Sequence, residues 1–258
     1  MALFQSSVLK DHLRLQEVMQ EDAAYQKFTA FFHNTKIQEN IRSSREEQFQ
    51  TAFQKGLDAG MDVICITIST GLSGTFNSAS LAAQQMDTDR IRVIDSLCAS
   101  MGLGWLVIKT ARAVQNGASL EEAVSIAEAN RPKVHFSALL QSLDYVYKGG
   151  RIGKASHMVG SALGIKPILE LDDQGSVFPA ERVRTWKKAL SRLVALAAAK
   201  GKLAEVAIVH TDNVPDAEKV MAELNSSYPD AHCEIVFAGT TIATYAGPGA
   251  VGLMFRVE

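Results

Sequence analysis

Val63-Ile64-Cys65-Ile66-Thr67-Ile68-Ser69-Thr70-Gly71-Leu72-Ser73-Gly74-Thr75 decides the fold: a β-branched apolar run, a turn punctuated by glycine, and the start of a helix. The run at 63–68 shows no polar alternation, so it reads as a strand covered on both faces. Past the turn, Phe76, Ala79, Ala83 and Met86 share one helical stripe. Upstream, residues 46–59 read as a helix with Phe49, Ala52, Phe53 and Leu57 on one face, ended by Gly60. Downstream, Ile91-Arg92-Val93-Ile94 is the next strand, and a helix follows from about 101 to 115. Strands alternating with helices predict parallel pairing through crossover helices.

The helix that begins near Ser119 is broken by Arg131-Pro132, and the domain boundary is placed there, giving domains 1–131 and 132–258. The second half reads as strands at 168–171, 177–182, 205–210, 234–237 and 251–257, with helices at about 185–199 and 216–227. Asp173-Gln174-Gly175 predicts a hairpin, so antiparallel pairs stand beside parallel ones. The expected class is α/β: a parallel-sheet amino-terminal domain and a mixed-sheet carboxy-terminal α/β domain. Residues 1–45 read as helical with a loop near 33–39, and the first strand of the amino-terminal sheet is expected to be missing.

Composition narrows the function. Hydrophobic residues make up 47% of the 258 and charged residues 21%, which suits a packed core under a soluble surface. Lys and Arg total 26 against 28 Asp and Glu, so no overall basic field points to nucleic acid. No apolar run approaches the ~18 residues of a membrane span, and charges at Lys10, Asp11, Arg14 and Glu17 rule out a secretory leader there. Cys65, Cys98 and Cys233 form no CxxC pair; the expected compartment is the reducing cytoplasm.

Three segments carry the polar chemistry. Thr67 to Thr75 lies at the carboxyl end of a buried strand, where open α/β sheets bind ligands. There Ser73 is expected to N-cap the helix, and free backbone N–H groups and Gly74 suit an anion. A cap and a turn with no ligand would use the same residues. The G-x-S-x-G frame of a nucleophile elbow fails at Thr75, and no Lys follows Gly74 to make a phosphate loop. Lys148-Gly149-Gly150-Arg151-Ile152-Gly153-Lys154 suits a phosphate or an acidic partner, or closes a helix. Thr240 to Gly249 reads as a hydroxyl-rich loop, either a pocket mouth or an ordinary connection. The histidines show no metal-ligand spacing, and neither a metal nor a cofactor is expected.

In this order, the segments resemble the DegV family of bacterial fatty-acid-binding proteins. The resemblance covers about Phe49 to Phe255 and includes Val93-Ile94-Asp95-Ser96, Ile165-Lys166-Pro167-Ile168-Leu169, Val183-Arg184 with Lys187-Lys188-Ala189-Leu190, and Gly247-Pro248-Gly249-Ala250. It implies a two-domain lipid carrier without catalysis of its own, whose partners are a long-chain fatty acid and a separate fatty acid kinase that converts the carboxylate to an acyl phosphate. Leu72-Ser73-Gly74-Thr75 matches the loop that holds the carboxylate, so Ser73 and Gly74 are the implied contacts. Ser43 or Ser44 stands where the second hydroxyl is expected, with Arg42 as the alternative; Tyr245 replaces the usual histidine before Gly-Pro-Gly. Arg151 and Arg184 match basic positions assigned to partner docking or phosphate handling. A stand-alone enzyme acting on a small phosphorylated or carboxylated metabolite, and a non-binding regulatory relative, are the alternatives.

Overall fold

The protein is described by a computed structural model covering residues 2–4, 46–158 and 164–258. Its first sheet has the order β1-β2-β3, formed by Ala2–Phe4, Val63–Thr67 and Ile91–Asp95, and every pair is parallel. The expectation of a missing first strand is therefore corrected: Ala2 to Phe4 pairs with Val63 to Cys65. Three apolar residues are too few to show a period of two, so pattern reading passes over them.

Helices cover both faces of this sheet. Val63 and Cys65 pack with Phe53 of α1 (Glu46–Asp58) and with Ala79 and Ala82 of α2 (Thr75–Gln85). Ile64 and Ile66 point the other way, onto Leu103 and Leu106 of α3 (Ser100–Gln115) and Leu120 and Ala123 of α4 (Leu120–Asn130). Burial on alternate faces explains the unbroken apolar run of β2. Helix α4 opens with a capping box: Ser119 Oγ accepts from Glu122 N–H, and the Glu122 carboxylate accepts from Ser119 N–H at 2.8 Å.

The second sheet is mixed, with the order β6-β5-β4-β9-β7-β8. Its strands are β4 (Val134–Leu139), β5 (Lys166–Leu171), β6 (Val177–Val183), β7 (Leu203–His210), β8 (His232–Phe237) and β9 (Val251–Val257). Only β7 and β8 pair in parallel; the other neighbours are antiparallel. One face carries α6 (Trp186–Ala198) and α7 (Val214–Ser227), whose Leu190, Leu193, Val220 and Leu224 pack on Ile208, Leu253 and Phe255. The other face meets α3, whose Met101 and Trp105 lie against Val134, Val209 and Met254. Helix α3 is thus apolar on both sides because it lies between the sheets. Trp105 Nε1–H donates to the Met254 carbonyl at 3.1 Å, so even its one polar atom is satisfied.

The parallel first sheet and mixed second sheet agree with the α/β expectation. Strand β4 was not expected, and Thr240–Ala246 is a short helix (α8) where a loop was expected. Between β4 and β5 the chain forms α5 (Asp144–Lys148) and a 3₁₀ turn at Gly153–Met158.

Candidate functional site

The site grows from the ends of two parallel strands. Thr67 of β2 pairs with Asp95 of β3, so the loop leaving β2 runs beside the carboxylate that ends β3. Asp95 uses both oxygens there: Oδ2 accepts from Thr70 Oγ1–H at 2.7 Å and Thr70 N–H at 3.2 Å, and Oδ1 accepts from Leu97 N–H at 2.9 Å. Ser69 is fully buried and donates its own N–H to the Cys98 carbonyl at 2.9 Å.

Ser73 is half-buried one residue further from α2 than expected. The cap residue is Gly74, with φ −72° and ψ 5° and no capping side chain, so the expectation that Ser73 caps the helix is corrected. The Ser73 hydroxyl instead lies 2.8 Å from Thr75 Oγ1 and 3.4 Å from Thr75 N. The physical reason is a turn that closes before the helix begins: Leu72 N–H and Ser73 N–H both donate to the Ser69 carbonyl at 3.0 Å. Those two amides are consumed inside the loop, and beyond them the half-buried hydroxyls of Ser73 and Thr75 pair with each other.

Arg151 joins this loop to two distant segments. Its Nε–H donates to the Leu72 carbonyl at 3.0 Å, one Nη–H donates to the Gly149 carbonyl at 2.8 Å, and the guanidinium stands 5.4 Å from the centre of the Tyr245 ring. A planar fork can engage two carbonyls and a ring at once, which an ammonium cannot. Two tyrosines interlock behind it. The Tyr245 ring leans on Gly149, where an added Cβ would fall 2.4 Å away, and the Tyr145 ring leans likewise on Gly247.

The Gly247 to Ala250 loop is anchored by Thr211, which sequence reading missed. This buried hydroxyl donates to the Gly247 carbonyl at 2.5 Å and accepts from Ala250 N–H at 2.8 Å. Asn213 adds a bond to the Gly249 carbonyl at 3.0 Å.

The three motif segments therefore meet: Ser73 and Gly74, Arg151, and Tyr245. Arg184 does not join them; it is exposed at the end of β6. Ser43 and Ser44 lie outside the described residues. The depression lined by Ala83, Gln84, Asp87, Thr88 and Asp89 is polar and sits at the far end of α2 from Ser73. Among the described residues, His, Cys, Asp and Glu side chains form no group of three or more able to hold a metal, and no helix is long and apolar enough to cross a membrane.

The family model described as "Uncharacterised protein, DegV family" matches residues 7–258. The chain belongs to the DegV family. It is 35% identical over 212 residues to a DegV domain-containing protein of Caldanaerobacter subterraneus, spanning 81% of this chain and 75% of that one. It resembles a solved structure described as "Fatty Acid Binding of a DegV family Protein from Thermus thermophilus" with a TM-score of 0.77 and 29% identity, covering 83% of this chain and 77% of that one. It also resembles "DegV, a fatty acid binding protein from Bacillus subtilis", with a TM-score of 0.72, 31% identity, and coverage of 83% and 77%. Three of the DegV segments quoted from the sequence, around Ser73, Arg151 and Tyr245, thus gather between the two sheets although they lie far apart along the chain, while the segment at 183–190 stays apart from them.

Proposed function

We propose that this chain binds a long-chain fatty acid, receives its carboxylate at the Ser73 hydroxyl beside Gly74, and presents it to a separate cytoplasmic fatty acid kinase. The kinase would supply ATP and transfer its terminal phosphoryl group to a carboxylate oxygen, giving the acyl phosphate and ADP. The chain itself would do no chemistry. We place the unit that offers Ser73 within residues 1–131 and the unit that offers Arg151 and Tyr245 within 132–258.

One observation carries this reading: Arg151 ties the Leu72 carbonyl, the Gly149 turn and the Tyr245 ring into one polar edge beside Ser73. Family members of comparable identity described as fatty-acid-binding support the ligand class. The division of labour is also favourable. Each buried CH₂ contributes ~0.8 kcal/mol, so a dozen give roughly 10 kcal/mol before the costs of association. Hydroxyls then need only orient the head group. Ser43 or Ser44 would add a second hydroxyl. Arg184 is exposed with Lys187 and Lys188 just beyond it, and we assign it to docking of the kinase.

Native mass spectrometry of protein purified from bacteria tests the proposal. The expected spectrum shows a co-purified long-chain fatty acid. Only apo protein, with no mass shift on adding palmitate or oleate, would overturn it.

A further inference from the structure

The loop that carries Ser73 is held from the opposite sheet. Ser69 Oγ–H donates to the Gly175 carbonyl at 2.8 Å, and the same oxygen accepts from Gly71 N–H at 3.1 Å. Gly175 is the tip of the β5–β6 hairpin, so this bond spans 106 residues of sequence and joins the two sheets. The approach is backbone against backbone. A Cβ on Gly71 would fall 2.5 Å from the Gly175 carbonyl oxygen, and one on Gly175 would fall 1.9 Å from Ser69 Oγ. Gly175 also adopts φ +68°, which a side chain would strain.

The hairpin tip is itself braced. Asp172 Oδ1 accepts from Gln174 N–H at 3.0 Å and Ser176 N–H at 2.9 Å, while Oδ2 pairs with Lys154 Nζ at 2.7 Å. Those bonds, the Lys154 bond first, hold the carboxyl below its usual range. On the other side, the Ser69 carbonyl receives the Leu72 and Ser73 amides. A continuous chain of contacts therefore runs from Asp172 through Gly175 and Ser69 to the backbone of Ser73.

We infer that Ser69 is a positioning residue: pinned by the Gly175 carbonyl of the other sheet, it sets where the Ser73 hydroxyl points. Its link to ligand rests on the head-group role proposed for Ser73, but the clamp itself does not. Ser69 never touches the ligand; it acts through Ser73. The bridge also makes the loop sensitive to movement between the sheets, because displacing the hairpin tip withdraws the acceptor on which Ser69 depends.

Two readouts on Ser69→Ala test this. In amide hydrogen exchange, the Leu72 and Ser73 amides and the 172–176 turn are expected to exchange at least roughly tenfold faster, while β2 and β7 keep their protection, as a locally broken hydrogen bond predicts. Asp172→Ala, which removes the acceptor of the Gln174 and Ser176 amides, should loosen the same two segments to a smaller degree. Unchanged exchange in both variants would overturn the clamp. In binding, the Kd for myristate should rise about fivefold while that for 1-tetradecanol, which lacks the carboxylate, changes less than about twofold. Equal loss for acid and alcohol would show a merely structural residue and overturn the positioning role. Should the unsubstituted protein take up neither lipid, the fatty-acid reading fails, and exchange alone decides whether the clamp exists.

Discussion

Arg151→Met keeps the aliphatic stem and removes the guanidinium. Two hydrogen bonds to carbonyls are lost, each with a net value of about 0.5–1.5 kcal/mol because the half-exposed acceptors regain water. The contact with the Tyr245 ring adds about 0.5–1 kcal/mol. The expected loss is therefore roughly 2 kcal/mol, which for a chain of this size lowers Tm by about 4–8 °C. Urea unfolding of the single variants Arg151→Met and Tyr245→Leu and of the double variant isolates the ring contact. The coupling energy should be about 0.5–1 kcal/mol, since the double variant loses the contact only once. A single-variant loss below about 0.5 kcal/mol, or no coupling with Tyr245, would refute the assignment of Arg151 as the brace between the segments. If Arg151 served only to dock a partner, stability would not change at all.

Gly74→Ala should leave Tm unchanged within about 2 °C, because φ −72° and ψ 5° suit alanine and, among the described residues other than its chain neighbours, no atom lies within 4 Å of the added Cβ; fatty acid affinity, by titration with a fluorescent analogue, should nevertheless fall. Gly149→Ala should destabilise by roughly 1–3 kcal/mol, because its methyl would stand 2.4 Å from the Tyr245 ring; an unchanged urea midpoint would count against the interlock. Burial pushes the Cys65 and Cys98 thiols up to about 12, so at pH 8 Ellman's reagent should find at most the half-buried Cys233 in native protein and all three thiols in denaturant. Burial lowers the pKa of His135, aided by the Lys200 charge and opposed by Glu170, and burial lowers His210 against the pull of Asp212. The unfolded chain then takes up protons first, so their contribution to stability is complete above 6.5 and is lost as pH falls below it; urea midpoints equal at pH 7.5 and 5.5 would refute this.

What the sequence disclosed depended on whether a residue's partners lay nearby. Strand β2 was plain because both its faces are apolar, and the Asp173-Gln174-Gly175 turn was plain because Gly175 carries a local demand for positive φ. Strand β4 was not read from the sequence: its short run carries the polar residues His135 and Ser137. In the fold, Ser137 Oγ–H donates to the buried Glu170 at 3.0 Å, whose other oxygen pairs with Lys200 Nζ at 2.9 Å. Those partners lie far along the chain, so no window of sequence shows that the polar atoms are satisfied. Helix α8 was hidden differently. Thr240, Thr241, Ile242 and Thr244 are poor helix formers, and the segment is helical because tertiary contacts such as Tyr245 on Gly149 override propensity. Asp95 left a usable trace: an acid ending one parallel strand, beside the hydroxyl-rich loop leaving the next.

The same distinction explains how the candidate site is built. Ser73 and Tyr245 were legible as motifs, but the bonds that brace their loops come from Asp95 at the end of β3, Gly175 between β5 and β6, and Thr211 after β7. Neither sheet contains all three. Helix α3, packed on the first sheet through Leu103 and Leu106 and on the second through Met101 and Trp105, holds the two sheets in the register that these bonds require. A hydroxyl aimed by contacts from both sides is rigid only while the sheets keep that register. Trp105→Phe, which removes the donor to Met254 at a buried contact, should therefore cost about 1–2 kcal/mol and also speed exchange at Leu72 and Ser73. Faster exchange there without any contact between Trp105 and the loop would mark the sheet-to-sheet register as the element that aims Ser73; lost stability with the loop amides unchanged would assign the aiming to the hairpin clamp alone.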